Sequence, residues 1–177
     1  ECREAVERGL PLLSRAEVLG AVSTLRDTVA VAGTHGKTTT SSMLALVLRE
    51  AGLRPSFVIG GDVNEIGTGA AWDEGDLFVV EADESDSSFL ELSSQYGVVT
   101  NLEPDHLEHY GGFQSLVEAF DRFVDAVDGP VVVGSDDPEG AALAGRHGAE
   151  TVGTADGADW VISAVEESWE GVRFSLS

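Results

Sequence analysis

A chain of 177 residues with 42% apolar residues is long enough for one sizeable core, and ten basic against 32 acidic side chains leave a formal charge of −22. Such a field repels phosphodiester backbones and anionic lipid, which excludes sequence-blind nucleic-acid binding and electrostatic attachment to a membrane surface. The single cysteine, Cys2, excludes an internal disulfide and a multi-cysteine metal site, and no apolar run nears the roughly 20 residues of a membrane span, so a reducing cytoplasm is the expected location.

Residue 1 is Glu and the only methionine is Met43, so the chain reads as a piece of a longer polypeptide. Residues 1–22 hold an Arg/Glu/Ala-rich helical stretch, Gly9-Leu10-Pro11-Leu12, and a second short helix, the expected tail of a preceding domain over 1–25. Residues 27–32 (DTVAVA) predict a buried strand, followed by a glycine loop and a helix over 38–51 that Gly52 stops. Further short strands are predicted at 56–59, before Gly60-Gly61, at 77–80, ending on Glu81, and at 97–100, ending on Asn101. A helix over 113–127 precedes a strand at 130–133, a small helix at 138–147 and a last short strand at 150–153. Strands alternating with helices imply an α/β fold, a mostly parallel sheet covered by helices on both faces. From Trp160 two alternating runs flank Glu170-Gly171 and predict a terminal β-hairpin. The main domain therefore covers 26–177.

Three polar clusters follow predicted strands. The first is Gly33-Thr34-His35-Gly36-Lys37-Thr38-Thr39, where a glycine loop turns consecutive backbone N–H groups toward a helix N-terminus, a natural phosphate cradle. Lys37 would reach the outer phosphates and the Thr38 hydroxyl would ligate magnesium, as in phosphate loops, although Val31 replaces the first glycine of the strict motif. Lys37 is also the only lysine among ten basic residues, the remainder being arginine. That places the one compact ammonium where a guanidinium would not substitute. The second cluster, Glu81-Ala82-Asp83-Glu84-Ser85-Asp86, carries four acids that a metal ion would reconcile, with Glu81 facing the loop. The third, residues 101–110 (NLEPDHLEHY), offers His106 as a further metal ligand and Asp105 as its support. On residues alone these clusters outline a metal–nucleotide site, and a phosphotransferase, a switch ATPase or a non-catalytic acidic binding domain stays open.

The strings GTHGKTTT (33–40), EADESD (81–86) and TNLEPDH (100–106), in this order and spacing, resemble the central ATP-binding domain of the Mur ligases. The loop histidine His35 and Ser85 point to the branch that joins L-alanine to UDP-N-acetylmuramate in peptidoglycan precursor synthesis; a murein-peptide recycling ligase of the same family is the alternative. The resemblance implies ATP-dependent amide formation through an acyl phosphate, with magnesium as metal and manganese as its substitute. It implies that Gly33, Thr34, His35, Gly36, Lys37, Thr38 and Thr39 hold the phosphates. Thr38 and Glu81 would ligate one metal and Glu81 with His106 a second, making Lys37, Glu81 and His106 the catalytic set. Asn64 and Ser85 are weaker candidates for touching the muramoyl substrate. Phe120 stands at the position aligned with a carbamoylated lysine of other members, which excludes that device. Gly134-Ser135-Asp136-Asp137 departs from the Asn-x-Asp-Asp common in the family, which puts an adenine contact there in doubt. UDP-binding and C-terminal domains would complete the enzyme, so the fragment alone is expected to be inactive.

Overall fold

A computed structural model of the chain describes residues 2–85, 87–105, 107–169 and 171–177. Helices α1 (Cys2–Glu7) and α2 (Arg15–Ser23) open the chain. Helix α2 starts at a capping box, in which Ser14 Oγ accepts from the Glu17 amide and the Glu17 carboxylate accepts from the Ser14 amide. It lies so close to the segment at 91 that a Cβ on Gly20 would stand 2.5 Å from the Glu91 carbonyl oxygen. Helix α1 buries none of its residues.

Strand β1 (Asp27–Ala32) leads through the glycine loop into α3 (Lys37–Glu50). Strands β2 (Ser56–Val63), β3 (Thr68–Ala71), β4 (Leu77–Glu81) and β5 (Tyr96–Val99) follow, then α4 (Leu107–Tyr110), α5 (Phe113–Asp125), β6 (Val131–Gly134), α6 (Pro138–His147) and β7 (Glu150–Gly153). Strands β8 (Trp160–Ser168) and β9 (Gly171–Leu176) form the expected terminal hairpin. The sheet order is β3-β2-β4-β1-β5-β6-β7-β8-β9, parallel throughout except at its two ends, where β3 and β9 run antiparallel to their neighbours.

Alternation along β4 shows why both faces are covered. Phe78 and Val80 join a core with Leu116, Phe120 and Phe123 of α5 and Leu143 of α6, whereas Val79 joins Phe57, Ile59 and Ala45 of α3. Phe89 anchors the first core, with ring centroids 5.3 Å from both Phe120 and Phe123. Phe120 itself is fully buried in this core.

The differences from expectation are local. Strand β2 does not stop at Gly60-Gly61 but runs on to Val63, because β3 pairs with it across an irregular register. A 3-10 turn at Ser88–Glu91 and the short α4 were not expected. No helix is long and apolar enough to cross a membrane among the described residues.

Candidate functional site

Parallel strands β4, β1 and β5 are neighbours, so the segments leaving their carboxyl ends meet at one edge. The loop after β1 is fitted tightly to the segment after β5. Gly33 adopts φ +131°, and a Cβ there would stand 2.0 Å from Thr100 Oγ1, so only glycine fits. Thr100 Oγ1 and Asn101 Nδ2 donate to the His35 carbonyl at 2.6 and 3.0 Å, and the His35 amide donates to Asn101 Oδ1 at 2.9 Å. Thr34 is buried; its hydroxyl donates to the Glu103 carbonyl at 3.1 Å and accepts from the Glu103 amide at 2.9 Å. Thr100 and Asn101 were read as part of the third string without a role of their own, yet they hold the loop in shape.

Gly36 caps α3 with φ +83° and contributes no side-chain hydrogen bond, and a Cβ on it would meet only open space. The amides of the first turn, at Lys37, Thr38 and Thr39, therefore lack both helical partners and a cap, and the helix dipole leaves them electropositive. That exposed, uncapped turn fits an anionic phosphate. Beside it, Thr38 Oγ1 donates to Glu81 Oε1 at 2.9 Å, and the Gly60 amide donates to Glu81 Oε2 at 2.7 Å. Glu81 thus faces the loop, and a Cβ on Gly60 would stand 2.9 Å from its carboxylate, close enough to push that side chain aside. A hydroxyl and a carboxylate held side by side are oxygen donors of the kind magnesium prefers.

The acidic string does not converge on one point. Glu81 faces Thr38, Asp83 accepts from the Ser85 amide at 2.9 Å, and Glu84 turns into the protein with 1% exposure. Among the described residues no group of three or more His, Cys, Asp or Glu gathers where it could hold a metal. Glu84 is the residue that sequence reasoning missed as an individual. Lys37 Nζ lies 2.9 Å from its Oε1 and 2.8 Å from its Oε2, and also donates to the Gly33 and Thr34 carbonyls at 2.7 and 3.3 Å. Burial pushes the Glu84 carboxyl up, against the opposing hydrogen bond and charge of Lys37. The signal was available: a lone lysine in a tight loop needs a counter-charge, and an acid three residues past Glu81 is in range.

His106 and Asp86 lie outside the described residues. Asn64 sits exposed in the turn between β2 and β3. Ser85 lines an open cavity with Pro104, Asp105, Leu107, Glu108 and His109. Asp137 caps α6, accepting from the Gly140 amide at 2.7 Å, and Asp136 accepts from the Thr154 amide and hydroxyl at 2.7 and 2.8 Å.

Comparison with known proteins agrees with this fold. The Mur ligase middle domain profile matches residues 31–177. A UDP-N-acetylmuramate–L-alanine ligase of Salinispora arenicola is 48% identical over 98% of this chain and 35% of its own length, so the chain spans about a third of that relative. Among solved structures, the UDP-N-acetylmuramate-alanine ligase of Thermotoga maritima matches with TM-score 0.84 and 27% identity, over 98% of this chain and 40% of that one. The UDP-N-acetylmuramate:L-alanyl-γ-D-glutamyl-meso-diaminopimelate ligase of Neisseria meningitides matches with TM-score 0.81 and 29% identity, over 99% and 60%.

Proposed function

The chain belongs to the Mur ligase family, whose middle domain it carries, and from that premise we propose that it forms the nucleotide and magnesium site of an ATP-dependent ligase joining L-alanine to UDP-N-acetylmuramate. The observation that carries the reading is the uncapped turn of α3, with Lys37 inside it and the Thr38–Glu81 pair beside it. In this reading a carboxylate oxygen of the muramoyl group attacks the γ-phosphorus of ATP and ADP departs. The alanine amine then attacks the acyl carbon, and inorganic phosphate leaves.

Within the loop of residues 33–39 the amides of Lys37, Thr38 and Thr39 would take the phosphates, those of Thr34 and His35 being bonded to Asn101, and Lys37 would stabilise charge on the transferring group. Thr38 and Glu81 would hold magnesium, which supplies charge neutralisation on the phosphate oxygens, and His106 would serve a second metal. Ser85 and Asn64 remain candidates for contact with the muramoyl group. Residues 1–25 are assigned to the tail of a UDP-binding domain and 26–177 to the central domain, in a cytoplasmic enzyme of peptidoglycan synthesis. The decisive assay follows ADP release by the ligase containing this chain. Release that requires both UDP-N-acetylmuramate and L-alanine supports the reading. Release with a preformed peptide in place of alanine would assign the recycling branch, and release without any sugar nucleotide would refute both.

A further inference from the structure

Lys37 is not free to receive a phosphate. Its ammonium lies against both oxygens of Glu84 and donates to two carbonyls of its own loop, so the N–H groups that a nucleotide would use are already engaged. Glu84 itself is fixed. Its side chain is 1% exposed, and its backbone carbonyl accepts from the Ser87 amide at 3.1 Å and from the Tyr110 hydroxyl of α4. Among the described residues Lys37 is its one ion-pair partner, and Oε2 receives no well-directed hydrogen bond besides that contact. With its backbone anchored and its carboxylate buried, Glu84 is placed to stay behind when Lys37 moves outward, and moving the ammonium toward a phosphate weakens the pairing of a buried charge.

We propose that Glu84 is a positioning residue that competes with the nucleotide phosphates for Lys37, so that nucleotide binding is an exchange of one anion for another at the same ammonium. The inference rests on the nucleotide reading above and adds an opposing charge to it. Its consequence has an unusual sign. Removing the charge of Glu84 leaves Lys37 without its resting partner, and phosphate then gains the whole interaction instead of a difference. Damage to the loop would weaken binding, so tighter binding separates the exchange from a structural role.

The test uses the intact chain, titrated with a non-hydrolysable ATP analogue in the presence of magnesium, in wild-type, Glu84→Gln and Glu84→Asp forms. Glu84→Gln keeps the length and an acceptor oxygen but not the charge, and is expected to bind at least about fivefold more tightly than wild type. Glu84→Asp, with its carboxylate withdrawn by one methylene, is expected to fall between the two and guards against a failure of the glutamine variant to fold. The ammonium itself can be followed, because Lys37 is the only lysine. Protein labelled with nitrogen-15 at the lysine ζ position gives one ammonium signal, expected to be protected from exchange in wild type and to lose that protection in Glu84→Gln. Unchanged or weaker analogue binding by folded Glu84→Gln, with normal binding by wild type, overturns the exchange alone. Absence of binding by folded wild type overturns the nucleotide reading, and the exchange with it.

Discussion

The two halves of the sheet's carboxyl edge use their polar side chains in opposite ways. Around β4, β1 and β5 the bonds span the chain: Lys37 to Glu84, Thr38 to Glu81, Thr34 to Glu103, and Asn101 to His35 join residues 43 to 69 positions apart. Around β6 and β7 they are shorter in range: Asp137 caps its own helix, Asp136 holds Thr154, and Asp159 accepts from the Thr151 amide and hydroxyl. Both halves are rich in acids and glycines, so composition does not separate them. What separates them is that the first half leaves the opening turn of α3 without a cap, whereas the second half caps the opening turn of α6 with Asp137. A site is built where long-range bonds fix a segment and its own amides are left for a ligand.

The sharpest way to break this contrast is Gly33→Ala. Its Cβ would collide with Thr100 at an unfavourable φ, and we expect a loss of about 3 kcal/mol or more in stability together with loss of nucleotide binding, read by melting and by titration. Lys37→Ala comes next. It removes the proposed phosphate ligand and also leaves Glu84 buried without its partner, so up to about 3 kcal/mol of stability should go at neutral pH. Because burial raises the Glu84 pKa above 4.5, the folded chain holds this proton more tightly than the unfolded one, so the stability this group contributes is full at acid pH and lost as pH rises through the raised value. Loss of Lys37 removes the main influences opposing that rise, so denaturation of Lys37→Ala at increasing pH should diverge from wild type above pH 4.5.

A smaller effect is expected from Gly60→Ala, which pushes Glu81 away from Thr38 without removing either. Magnesium affinity should fall by about 10- to 100-fold while the affinity for nucleotide without metal changes little. The smallest test lies outside the site. Asp121 on α5 accepts from Arg146 Nε at 2.8 Å and His147 Nε2 at 2.7 Å on α6. Burial raises its pKa, but the hydrogen bonds from His147 and Arg146 outweigh this and hold it below 3.8. The depressed value means that the stability it contributes is present above pH 3.8 and lost as pH falls through the folded-state pKa. Asp121→Ala should cost about 1 kcal/mol at pH 7, little at pH 2, and leave nucleotide affinity unchanged.

Regular elements were legible wherever pattern and punctuation coincided. DTVAVA, a run bounded by polar residues and the glycine loop, gave β1 to the residue, and the small helix expected at 138–147 is α6, Pro138–His147. Strand β3 was illegible because Thr-Gly-Ala-Ala carries no strand signal of its own; pairing with β2 makes it a strand. That Glu81 faces Thr38 and the glycine loop was legible because strand ends in a parallel sheet share an edge. Glu84 was not, because a string of acids does not say which of them turns inward. The inward turn goes with contacts that no residue of the string announces, the Ser87 amide and the Tyr110 hydroxyl on the Glu84 carbonyl and Lys37 on its carboxylate.

The most direct measurement is calorimetric titration of the folded chain with a non-hydrolysable ATP analogue, with and without magnesium, against Lys37→Ala in the same buffers at a pH where that variant is folded. The account predicts binding by the wild-type chain that needs magnesium and is lost in Lys37→Ala. Binding of equal strength by Lys37→Ala, or no binding by the folded wild-type chain, would contradict it.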